Sequence, residues 1–541
     1  MQSMLRIAFV AAGFMRQTLP AASVSISNPG YFCFSANNII ATFNPLPTTG
    51  GLACTGNKDA HPNGDAFFSS VTCKGAFGSS TDNWLAGYLR LACSGNMAGR
   101  TCPALSASSF VTLLSSVTLL SSAYASNTVL GASISYILVS QVFVSASLTI
   151  PAGTTIFALP VPTGVAAAAL VVLKGGKLVA TGSATMPITF TSVLAESALV
   201  SLATASTDSN ENAITLGERG KWGDLFLLGN APTNVATTTQ IEGITGYTYG
   251  GSNPTESSGS LQYVRVWHGG AVVGANNEIN GITFGGVSSG TVADHCDVAY
   301  SADDGFEFFG GTVDVKYLSV LFAGDHAFDT DDGYVGKGQF LFALLGAVGN
   351  HGAEMDSLYD ITPRSHPAFY SMTIIGGGAS GRTDGLMRLR EGTGGKFINV
   401  LLDNPTNIDV EILQCSSTSW SSNYVITQQL SFVSAPSVLN YPYFGSKNII
   451  SGVTSGTGSV FSTENGKCSS SLATFTAVQT DPLLWLNGRL FVNTQVAISL
   501  FLPRSPSMSL DLPRLPLIVL DDPAEHLGFL DLHRSTLIAL D

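Results

Sequence analysis

Charged residues are scarce in this chain. Asp, Glu, Lys and Arg make up 11% of its 541 residues, too few to clothe the polar faces of a helical bundle. Hydrophobic residues reach 45%, which excludes disorder, a state that needs low hydrophobicity and high charge. Between residues 101 and 173 there is no Asp, Glu, Lys or Arg at all. Ser, Thr, Gly and Pro interrupt that stretch before any apolar run reaches the ~18 residues of a membrane helix. It reads as strands, and no transmembrane span is expected. No CxxC pair occurs, so a zinc site of the usual spacing is not expected. No GK[ST] follows the glycine-rich turns, which removes a phosphate loop. The charge that remains sums to −13. That excess disfavours nucleic acid or an anionic membrane as partner, and suits cations or a ligand bridged by them.

What is abundant points to strands. Glycine (58 residues), Ser and Thr accompany plentiful Val, Ile, Leu and Phe, the usual makeup of an all-β chain. Short β-branched runs broken by Gly and Pro, such as 135–156 and 170–192, carry the strand signal. Further on, a unit repeats. Its first strands begin near Ile282, Phe306, Phe328, Ala353 and Met387, at spacings of 24, 22, 25 and 34. About two dozen residues suit one turn of a three-strand coil, and an insertion loop accounts for the last value. Propeller blades need about 40 residues, and no leucine-rich pattern is present. The fold class expected is all-β, a right-handed parallel β-helix. Alternation along each strand sends Phe306, Phe308, Phe328, Ala353, Met355, Met387 and Leu389 inward, where only the neighbouring turn can cover them.

Here the sequence resembles a known family. GKWGDLFLLGNAP (220–232), IEGI (241–244), NEINGITFGGVSSGT (277–291), ADDGFEFFGGTV (302–313), GKGQF (336–340) and MRLREGTGGKF (387–397) are similar to strings in exported bacterial β-helix proteins. These are commonly lipoproteins or carry a sorting domain, and they belong with the pectate-lyase-like folds. The likeness runs from about Tyr136 to Asn404. It implies the fold and export to the cell surface or medium, and no activity.

The coil is expected over 129–415. Residues 1–23, with Arg6, the apolar run Ile7–Met15 and the small Ala21 and Ala22, look like a signal peptide, although Arg16 interrupts them. No cysteine follows that run directly, so a lipid anchor is not expected. Residues 24–128 form a Gly/Ser/Cys-rich region outside the repeat. Five of the eight cysteines, Cys33, Cys54, Cys73, Cys93 and Cys102, lie in its first part. They suggest a partly disulfide-bonded region in an oxidising compartment, with at least one of the five free or paired elsewhere. Residues 416–499 finish or cap the coil, and the Pro-, Leu- and Asp-rich 500–541 read as a disordered tail.

Chemistry is expected on the outward face. Glu307, Asp329 and Glu354 take the same outward position in successive turns, with Phe309, Asp331 and Asp356 in a second column and Arg388 and Arg390 in the next turn. Strands stack at ~4.8 Å, where two unit charges repel by ~3.5 kcal/mol at an effective dielectric of 20. A bare ladder of ionised carboxylates is therefore untenable. Three arrangements relieve it: a Ca²⁺ ion on hard oxygens from Glu307, Asp329, Asp331, Glu354 and Asp356, raised pKa values as in catalytic carboxylate pairs, or solvated acids on splayed loops. Asp303, Asp304, Asp325 and Asp332 sit at flanking turns, where such residues commonly cap backbone. His326 and His351 share a turn position and are expected to stack. Trp267 and Phe309 are expected outward as platforms for sugar rings. Two functions compete. One is a non-catalytic surface or matrix protein binding polysaccharide or Ca²⁺ along the ladder. The other is a Ca²⁺-dependent lyase or glycoside hydrolase on acidic polysaccharide, with Glu307, Asp329, Glu354, Arg388 and Arg390 as catalytic groups. No residue set compels a reaction, so the binder comes first.

Overall fold

The computed structural model describes most of residues 45–90 and 117–412, with gaps at 91–116, 161–165, 194–218, 274–277, 347–348, 359–360, 377–384 and 404–409, and three short strands beyond. The expected signal segment and the tail 500–541 lie outside the described residues.

Short β-branched and aromatic strands coil with parallel pairing throughout. Residues 123–124, 142–144, 169–172, 224–228, 282–285, 306–309, 328–331, 353–355, 387–389, 410–412 and 461–463 stack as one eleven-stranded sheet. The other walls of the coil make a seventeen-stranded sheet. This is a right-handed parallel β-helix. Among the described residues its strands start at Thr118–Leu119, earlier than the expected residue 129, and its pairing continues through Val410–Ile412 to Phe461–Thr463.

The repeat read from the sequence is the register observed. Ile282 pairs with Phe306, Phe306 with Phe328, Phe328 with Ala353 and Ala353 with Met387. Phe306, Phe308, Phe328, Ala353, Met355, Met387 and Leu389 all lie in the central core. Rings stack along the axis, Phe284 on Phe308 at 5.1 Å and Phe306 on Phe328 at 5.9 Å. Burying each such ring contributes ~1.5–3 kcal/mol relative to leaving it in water.

In the second sheet the long strands 292–299, 315–321, 337–344 and 368–375 each bend at one residue. Those residues, His295, Tyr317, Phe340 and Ser371, have φ between 52° and 64°. A side chain in that region costs about 1–2 kcal/mol, and at the three ring-bearing positions stacking offsets it. Tyr263, His295, Tyr317 and Phe340 follow one another at 4.4, 4.3 and 4.8 Å.

Residues 65–90, which the repeat does not include, lie against this wall. Phe77, Trp84, Leu85 and Tyr88 join Trp267, Tyr300, Phe322, Phe340 and Phe342 in one apolar cluster. Gln339 and Ser69 exchange hydrogen bonds of 2.7 and 2.8 Å, and Lys337 pairs with Asp65 at 3.0 Å. Cys54 and Cys73 form a disulfide, and Cys296 is a free thiol buried in the coil. Cys33, Cys93 and Cys102 lie outside the described residues.

Trp267 and Phe309 correct an expectation: neither is a surface platform. Trp267 is 3% exposed, has the guanidinium groups of Arg90 and Arg265 over its ring at 4.8 and 5.0 Å, and donates from Nε1 to Asp297 Oδ2. Phe309 packs under Tyr249, in a cluster with Ile241 and Ile244. Both rings leave the coil wall as expected, but long connections fold back over the apolar area they present.

Candidate functional site: a buried carboxylate–histidine cluster

The eleven-stranded sheet builds the site because its outward positions repeat without slippage. Thr283, Glu307, Asp329, Glu354 and Arg388 are consecutive register partners. Phe309 pairs with Asp331 in the second column, and the Asp356 amide donates to Thr330 one turn on. A third column runs three residues earlier in each turn: Asn280, Asp304, His326 and His351. Its members are tied by amides of the following residues, Gly281 to Asp304, Gly305 to His326 and Ala327 to His351. His326 and His351 stack at 5.0 Å, as their turn positions imply. Asp304 caps backbone, accepting the His326 amide at 2.8 Å, and Asp332 accepts the Tyr249 hydroxyl.

The ladder points outward yet is not solvated. Glu307, Asp329 and Glu354 are 8%, 7% and 3% exposed, so the reading as splayed surface acids does not hold. Burial is also what moves their chemistry. It raises the Glu307 carboxyl well above the usual range, reinforced by Asp304 and Asp329. It raises Asp329 too, with the His326 ring beside it opposing the shift. Asp303 rises to about 9 through burial and Asp304, and Asp331 to about 7 through burial and Asp332. Asp356 is raised by burial and Glu354, with Arg390 opposing.

The counter-charges are unevenly placed. Arg388 reaches Glu354 Oε1 at 3.2 Å; Arg390 reaches Glu354 Oε2 at 2.9 Å and Asp356 Oδ2 at 2.6 Å. The C-terminal end of the ladder is thereby neutralised. At the other end, Asp304, Glu307 and Asp329 bring one oxygen each within 4.8 Å of one another, and His326 stands beside them. Its Nδ1 is 3.2 Å from Asp304 and 3.3 Å from Asp329; its Nε2 is 3.3 Å from Asp325 and 3.6 Å from Glu354. Burial disfavours its charged form, but Asp304, Asp329 and Glu354 outweigh that and push its pKa well up. Two further triplets meet the same closeness, Asp304–Asp325–His326 and His326–His351–Glu354.

Sequence reasoning placed the ladder, the flanking turn acids including Asp303, and the histidine pair, and missed Asn280 and Glu242. Asn280 donates to Glu307, and Glu242 and Asp303 add to its field. The constant offset of three residues from Thr283, Glu307, Asp329 and Glu354 would have identified the Asn280 column. Nothing local marks Glu242, which reaches the site from a separate connection. Among the described residues no helix is long and apolar enough to cross a membrane.

No curated protein and no solved structure matches the chain. The model of the pectate-lyase like beta helix domain matches residues 122–441, more than half of it and the whole stretch that carries the ladder. Parallel coil, turn length and family model agree, and the chain belongs to the pectate-lyase-like β-helix family.

Proposed function

We propose that this is an exported, non-catalytic coil that holds a divalent cation at Asp304, Glu307 and Asp329 and through it binds an acidic polysaccharide at the cell surface or in a matrix. One observation carries the reading: the arginines neutralise only one end of the ladder, while three buried carboxylates converge at the other with a single histidine between them. Hard carboxylate oxygens suit Ca²⁺, which takes six to eight such ligands. The five acids expected from the sequence thus divide. Glu307 and Asp329 stay in the cation set with Asp304, whereas Glu354 and Asp356 belong to the arginines, and Asp331 faces Asp332.

The polysaccharide follows from the family and from charge. A chain of net charge −13 attracts an acidic polymer only where a cation bridges the two. The lyase alternative needs Arg388, Arg390 or Lys396 as a base; both arginines are engaged by Glu354 and Asp356, and Lys396 lies on strand 396–398 of the other sheet, not on the ladder. The hydrolase alternative would use two of Glu307, Asp329 and Glu354 as acid and base, and Glu354 is already held by both arginines. The test is retention on polyuronate resin, together with thermal melts, in Ca²⁺ and in EDTA. Ca²⁺-dependent retention and a higher melting temperature are expected, with no release of unsaturated or reducing sugar. Coincident melts remove the cation site, and product release would replace the binder with an enzyme.

A further inference from the structure

A second donor set adjoins the hard trio, of different chemistry. His326, His351 and Glu354 each place one ligand atom within 4.8 Å of the others, and all three are buried, at 6%, 0% and 3% exposure. His326 Nε2 lies 3.6 Å from Glu354 Oε2, and His351 Nδ1 lies 3.9 Å from Glu354 Oε1. Neither ring nitrogen of His326 makes a directional hydrogen bond, although carboxylates stand on both of its edges. A buried imidazole so placed is arranged for something other than its carboxylate neighbours alone. We propose that His326, His351 and Glu354 form a two-histidine, one-carboxylate site for a borderline transition ion such as Zn²⁺ or Co²⁺. Imidazole nitrogen selects ions of that kind over Ca²⁺ and Mg²⁺.

The surroundings are those a metal-bound histidine requires. With Nε2 on the ion, Nδ1–H faces Asp304 Oδ1 at 3.2 Å and Asp329 Oδ2 at 3.3 Å. Such a carboxylate fixes tautomer and ring orientation and makes the imidazole a better ligand. Asp304 also holds the His326 main chain. Each Glu354 oxygen accepts one arginine bond, which orients the carboxylate and leaves each oxygen a lone pair. Asp325 Oδ1, 3.3 Å from Nε2 on a side chain 42% exposed, opens the site toward solvent. The inference does not depend on Asp304, Glu307 and Asp329 holding an ion of their own.

The experiment uses the untagged, EDTA-stripped full chain. Zn²⁺, Co²⁺ and Ca²⁺ are titrated separately by calorimetry, and the Zn²⁺ form is examined by X-ray absorption. About one Zn²⁺ with two imidazoles in its first shell is expected. His351→Gln should lose one imidazole. Asp329→Asn, which removes a positioning group, should weaken Zn²⁺ by ~10–100-fold. Glu307→Gln should leave Zn²⁺ stoichiometry unchanged while weakening Ca²⁺. If His351→Gln does not fold, the wild-type imidazole count still decides. Zn²⁺ bound without imidazole, or not bound at all, overturns this site; Ca²⁺ binding in the same titrations then leaves the hard-cation reading standing. Zn²⁺ binding without Ca²⁺ gives the reverse.

Discussion

Removing the central carboxylate of the ladder tests its electrostatics most sharply. Asp329 lies in register between Glu307 and Glu354. At the ~4.8 Å strand spacing, two unit charges repel by ~3.5 kcal/mol in an effective dielectric of 20. Glu354 is offset by Arg388 and Arg390, so the uncompensated neighbours are Glu307 and Asp304. Both at such spacing repel Asp329 by ~7 kcal/mol in total. An imidazolium at His326, 3.3 Å away, returns ~5 kcal/mol. The balance is ~2 kcal/mol of repulsion, part of which retained protons relieve. Asp329→Asn should therefore be more stable than wild type in EDTA, by ~1–2 kcal/mol. At a hundredfold excess of Ca²⁺ over Kd the wild type gains ~2.7 kcal/mol, whereas the variant has lost one ligand of three. The order of the two proteins then reverses. Denaturant unfolding followed by circular dichroism, in EDTA and in Ca²⁺, measures this directly. The same order in both solutions, or a variant weaker than wild type in EDTA, refutes the reasoning.

The pH dependence of Ca²⁺ binding is a second outcome. Glu307 and Asp329 are raised by burial, so the ion displaces protons, and affinity should climb with pH by about tenfold per unit for each proton released. Calorimetry from pH 6 to 8 that returns one constant affinity would contradict it. Asp297 gives a separate signal beneath residues 65–90: burial raises its pKa to about 6, against ~3.9 unfolded. The folded form binds that proton more tightly, so the stability is present below pH ~4 and is lost as pH rises through 6, by ~3 kcal/mol. The stability of wild type relative to Asp297→Asn should fall by that amount between pH 4 and 7.5 in urea titrations; a constant difference excludes it. Phe308 is wholly buried, between Phe284 and Tyr334, and Phe308→Ala should cost ~3–5 kcal/mol. A loss under ~1 kcal/mol in denaturant unfolding would take Phe308 out of the core.

How much of this was legible follows from where each interaction comes from. The coil, its turn length and the Glu307–Asp329–Glu354–Arg388 column could be read because a two-residue alternation and a two-dozen-residue repeat together fix every outward position. The burial of the ladder could not. Tyr249 and Glu242 arrive from a connection that obeys neither period, and so do residues 65–90, which cover Trp267. Sequence alternation tells which way a side chain leaves the wall, and nothing local tells what is laid over it. His326 shows the same limit: its turn position and its stack on His351 were readable, whereas its place among four carboxylates needed three columns to be aligned at once.

The column itself bears on how such a protein changes over generations. Each turn adds one residue to the line that runs from Thr283 through three acids to Arg388. Duplicating or deleting a whole turn would therefore lengthen or shorten that line by one residue, with core contacts changed only at the junction. Point mutation must disturb a packed neighbour to achieve as much. The number and order of charges along the wall behave as a sequence of interchangeable letters, and the valence of the site can be edited by recombination between repeats.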